Sequence, residues 1–72
     1  MLETTLRAPE LEDDAGVQTI QRALASTEGL AQLRVDRGSK TVTVLHDPEL
    51  LSVAAIQTRL DHVGFLTTVA LP

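Results

Sequence analysis

Residues 17–24, Val-Gln-Thr-Ile-Gln-Arg-Ala-Leu, return 36 positions later as Val-Ala-Ala-Ile-Gln-Thr-Arg-Leu at residues 53–60. In both copies the apolar residues fall at i, i+3 and i+7, which is one stripe of an α-helix. The stripes are Val17, Ile20 and Leu24 in the first copy and Val53, Ile56 and Leu60 in the second, with Val63 extending the second. Asp13 or Asp14 is placed to accept hydrogen bonds from the unpaired first-turn amides of a helix running from Gly16 onward, and Ser52 caps the other. Gly29 and Gly64 read as the two helix stops. Two such helices suit a pair of βαβ halves related by a pseudo-two-fold axis. Helical spacing alone can produce the match, so the strands must carry the rest of the fold.

Working outward, Leu2, Thr4 and Leu6 alternate with more polar neighbours until Pro9, which makes residues 2–7 a half-buried strand. Ala31, Leu33 and Val35 are expected on one face of a second strand, and Val42 and Val44 on one face of a third. Asp36-Arg37-Gly38-Ser39-Lys40 supplies the hairpin between them. His46-Asp47-Pro48-Glu49 breaks the third strand, and Leu66 to Ala70 forms the last. The order strand, helix, strand, strand, helix, strand defines an α+β fold, the ferredoxin-like βαββαβ sandwich. It places both helices on one face of a four-stranded antiparallel sheet.

Seventy-two residues suffice for one domain spanning 1–72, and Met1 with the short ends favours a free-standing module. The only aromatic residue is Phe65, so stacking on nucleobases is excluded as a main binding mode. Six basic against ten acidic side chains leave a net charge of −4, with no clustered basic footprint for a phosphate backbone. Nucleic acid and membrane insertion are therefore not expected, and the chain reads as soluble and cytoplasmic. The absence of cysteine removes disulfides, thiolate catalysis and thiolate metal sites together.

Residues 10–24 carry the most specific signal. Glu10-Leu11-Glu12-Asp13-Asp14-Ala15-Gly16-Val17, followed by Ile20, Ala23 and Leu24, resembles the metal-binding loop and first helix of the heavy-metal-associated domain family. In that family the pattern is roughly Gly-Met-x-Cys-x-x-Cys-Val-x-x-Ile-x-x-Ala-Leu. The likeness continues through Glu28-Gly29-Leu30, Leu33 to Asp36, Thr41 to Pro48, and Ile56 to Phe65. It implies the ferredoxin-like fold and a carrier of Cu(I), Zn(II), Cd(II) or Hg(II) that hands its cargo to a similar domain of a transporter. The two thiol positions, however, are Asp13 and Gly16.

Soft copper selects thiolate, which carboxylates do not replace. No copper or zinc cofactor is therefore expected. Glu10, Glu12, Asp13 and Asp14 are the weak carboxylate candidates for a hard cation, but they lack the alternating order of a calcium loop, and helix capping by the same acids is the simpler reading. Leu11 stands at the family's methionine position and should pack in the core. Phe65, where many bacterial members have tyrosine, should cover the sheet end. His46 and His62 lack a third ligand, and Arg22, Arg59 and Lys40 read as solvated charges.

Ser26, Ser39 and Ser52 have no implied histidine partner, so no catalytic set is present and the chain is not expected to be an enzyme. An acylphosphatase reading fails because carboxylates follow Arg7 where an anion would bind. The expectation is a heavy-metal-associated-like domain without its thiolate site, acting as a protein-docking or regulatory module associated with cation transport. Its partner surface is Asp13, Asp14 and Phe65, its partner a cation-transporter or similar domain, and its own state monomer or weak homodimer. Weak cation binding by the acidic loop is the alternative, and a small-ligand-sensing regulatory module the distant one.

Overall fold

A computed structural model describes residues 1–70. The elements are β1 (Leu2–Arg7), α1 (Asp14–Leu24), β2 (Leu30–Asp36), β3 (Thr41–His46), α2 (Val53–His62) and β4 (Thr68–Val69). The strands form one antiparallel sheet in the order β2-β3-β1-β4. β1 and β3 run side by side from Leu2 opposite His46 to Arg7 opposite Thr41. This is the expected βαββαβ sandwich.

Alternation decides which face is covered. Leu6, Val42 and Val44 point to the helices and are fully buried with Ile20, Leu24, Ile56 and Leu60. Glu3, Arg7, Gln32, Arg34 and Asp36 alternate with the inward residues and stay exposed. The stripes read from sequence are therefore the faces that meet the sheet, with Val17 and Val53 only partly buried at the margin.

Ser52 caps α2 as expected, its hydroxyl accepting from the Ala55 amide at 3.1 Å. The C-terminus of α2 is closed by two crossed bonds, Phe65 N–H to Leu60 C=O at 2.9 Å and Gly64 N–H to Asp61 C=O at 3.0 Å. Gly64 supplies the left-handed backbone this requires, at φ +94°.

Four expectations are corrected. Gly29 does not end α1, which stops at Leu24 with Ala25 as its cap; Gly29 instead takes φ +90° in the turn before β2, against Leu50 and Leu51. Ala31 does not share the inward face of Leu33 and Val35, because a bulge between Leu30 and Gln32 shifts the register and leaves it exposed while Leu30 packs on the core. Val63 is the 39 % exposed cap of α2 rather than a core residue. The last strand is only Thr68–Val69, since Leu66 is exposed and the Thr67 carbonyl accepts from the Gln57 side-chain amide at 3.1 Å.

His46 carries more structure than a strand end. It is fully buried, with Nδ1 2.7 Å from the Leu51 carbonyl and Nε2 2.9 Å from the Thr4 hydroxyl. A carbonyl only accepts, so Nδ1 donates to Leu51, and in the tautomer that leaves Nε2 unprotonated this nitrogen accepts from the Thr4 hydroxyl. One side chain thereby ties β1 and β3 to the loop that precedes α2.

Candidate functional site

The loop joining β1 to α1 is built from the inside out. Leu11 is fully buried and its amide donates back to Ala8 C=O at 3.0 Å, so the loop is pinned beneath its acidic residues. Ala8 N–H reaches Lys40 C=O at 2.8 Å, which seats the β2–β3 hairpin beside the loop. The ammonium of Lys40, read from sequence as a solvated charge, also donates to Pro9 C=O at 3.3 Å.

Asp13 has extended backbone angles and caps α1. Its Oδ1 accepts from the Gly16 amide at 2.8 Å, and its carbonyl from Val17 at 3.2 Å. The carboxylate thus serves a helix terminus that favours negative charge. Asp14 pairs with Arg37 of the hairpin at 3.1 Å, both side chains being more than half exposed. Such a pair contributes about 1 kcal/mol at most. Glu10 and Glu12 are exposed and, among the described residues, make neither an ion pair nor a side-chain hydrogen bond.

Gly16 is buried. A Cβ placed there would lie 3.1 Å from Leu11 Cδ1 and 3.1 Å from Phe65 Cζ, so a side chain would fit only if those two side-chain ends gave way by a few tenths of an ångström. The turn that ends α2 brings the Phe65 ring to Gly16. Among the described residues no three His, Cys, Asp or Glu side chains are grouped to hold a metal ion. Of the two histidines, His46 has both nitrogens engaged inside the core, and His62 is exposed in the last turn of α2.

Arg37 is the residue of this end that sequence reasoning missed. It stands 23 positions from Asp14, and only the pairing of β2, β3 and β1 brings the hairpin and the acidic loop together.

Residues 5–65 match the heavy-metal-associated domain, and the chain belongs to that family. The fold agrees closely with a copper-binding domain from HMA7, a P-type ATPase, at TM-score 0.91 and 18 % identity over 99 % of this chain and 96 % of that one. Oxidized MerP from Ralstonia metallidurans CH34 superposes at TM-score 0.90 with 21 % identity, covering 97 % of each chain. The N-terminal domain of a potential copper-translocating P-type ATPase from Bacillus subtilis, solved in its Cu(I)-loaded state, gives TM-score 0.86 and 24 % identity over 93 % and 84 % of the two chains. A comparison with curated protein sequences finds no match. As a heavy-metal-associated domain, the chain is not an enzyme. No described helix is long and apolar enough to cross a membrane.

Proposed function

We propose that this chain is a heavy-metal-associated domain without a thiolate metal site, serving as a cytoplasmic docking or regulatory module for cation transport. One observation carries the reading: at the position of the family's second thiol stands Gly16, buried with no side chain to ligate a metal and with Leu11 and Phe65 packed close over it. The Asp13 carboxylate, at the position of the first, is turned onto the Gly16 amide as a helix cap. Carboxylate is also the wrong ligand for Cu(I). What remains available at this end is a surface: the exposed acids Asp13 and Asp14 beside the partly exposed ring of Phe65. The partner that suits it is a heavy-metal-associated domain of a cation pump, the setting from which several of the similar structures come.

Amide-resolved NMR tests both halves. Titration with Cu(I) or Zn²⁺ is expected to leave Asp13 to Gly16 unmoved, and saturable micromolar shifts there would overturn the metal-free reading. Titration with the Bacillus subtilis ATPase domain is expected to shift Asp13, Asp14 and Phe65. Shifts produced instead by Ca²⁺ or Mn²⁺, and erased when Asp13→Asn and Asp14→Asn are combined, would establish the acidic loop as a hard-cation site in place of docking.

A further inference from the structure

We infer that β2 pairs with β2 of a second copy, antiparallel, in a register centred on Val35. β2 is an outer strand of the sheet, and a free edge is a template for another strand. In a symmetric antiparallel pair, opposed residues share a face of the sheet, so only registers centred on a residue are allowed. Each can be judged from what lies on β2.

Centring on Leu33 runs the ladder into the bulge between Leu30 and Gln32, and centring on Gln32 does so more deeply. Centring on Arg34 sets that guanidinium against its own copy, and centring on Asp36 opposes two carboxylates. Like charges directly opposite destabilise a sheet. Centring on Val35 avoids both faults. Within the strand the overlap then covers Arg34 to Asp36, stops short of the bulge, and places Arg34 of each copy opposite Asp36 of the other. Two ion pairs result on the solvent face.

The charged groups are prepared for this. Arg34 is exposed and, among the described residues, has no acidic partner. Asp36 is exposed, its Oδ1 accepts from the amides of Gly38 at 2.9 Å and Ser39 at 3.4 Å, and among the described residues it has no cationic partner. An overlap this short lies far below the area of an obligate interface, so the dimer is weak and concentration-dependent.

The absence of native cysteine makes one introduced thiol a register probe. Under mild oxidation, Val35→Cys is expected to form a disulfide dimer faster than Gln32→Cys, which lies outside the overlap. Adding Arg34→Glu turns both pairs repulsive and should lower dimer affinity roughly tenfold, removing that advantage. Equal cross-linking by the two cysteine variants, or no effect of Arg34→Glu, would overturn the inference. Should Val35→Cys fail to fold, dilution of the unmodified protein followed by amide NMR decides. Shifts confined to residues 33–37 are expected, and their absence at high concentration, or shifts centred on another surface, refutes the pairing.

Discussion

At Gly16 and Phe65 a missing side chain and a ring depend on each other. Converting Asp13→Cys and Gly16→Cys together restores the thiol spacing of the family, but the new Cβ at position 16 enters the space beside Leu11 and Phe65 at 3.1 Å from each. Both obstructing atoms are the far ends of side chains, so the expected outcome is a folded protein with a displaced Phe65 ring that binds Cu(I) or Zn²⁺. Stability should fall by about 1 kcal/mol through loss of the Asp13 cap. Ring-proton shifts of Phe65 and metal titration check this, and a folded double variant that takes up neither metal would mean that the loop has been misaligned with the family. His46 is a second place where one side chain does several jobs. Replacing it with Phe leaves the Thr4 hydroxyl and the Leu51 carbonyl without their partner inside the core, at a cost of about 1–3 kcal/mol each where no water replaces it. Denaturant unfolding measures the loss, and nitrogen-15 spectra of the wild-type ring should show the Nδ1–H tautomer.

At the scale of elements, the turns carry the sharpest expectations. Gly64 takes φ +94° with nothing within 4 Å of where its Cβ would be, so Gly64→Ala acts through the backbone alone. A cost of about 1–2 kcal/mol is expected, read as a lowered unfolding midpoint. In the β2–β3 hairpin, the Ser39 hydroxyl and then the amides of Ser39 and Gly38 hold the Asp36 carboxyl below its ordinary range. A carboxylate pKa depressed in the folded state contributes stability that is present above the unfolded value and is lost as pH falls through the folded one. Stability measured by chemical denaturation should therefore decline with acidification below the ordinary carboxylate range, and Asp36→Asn should flatten that part of the slope. The acidic residues of the β1–α1 loop behave differently as an element, because only Asp13 is drawn into the helix end while Glu10 and Glu12 stay in solvent.

Across the whole molecule, charge is distributed unevenly. Four of the ten acidic residues occupy residues 10–14, beside a hairpin whose cations Arg37 and Lys40 are engaged with Asp14 and Pro9. Binding of a pump domain through this end should weaken as salt rises from low to physiological ionic strength, because exposed charges are screened beyond about 8–10 Å. Titrations at two salt concentrations measure the effect, and salt-independent binding would place the contact elsewhere.

The sequence alone determined the order of elements, the faces of both helices, the cap at Ser52 and a cap at Asp13 or Asp14, because these follow from local periodicity and from polar side chains next to unpaired amides; the burial of Leu11 was legible only through the family likeness. The family likeness was equally legible, since residues 10–24 and 56–65 keep its apolar landmarks around the altered thiol positions. Tertiary structure decided what depends on residues distant in the chain. It put Phe65 over Gly16, Arg37 on Asp14, and His46 between Thr4 and Leu51, contacts set by strand pairing and helix packing that leave no local pattern. It also moved the end of α1 back to Leu24 and bulged β2 at Ala31, because register is settled by how a strand meets its neighbour and not by its own alternation.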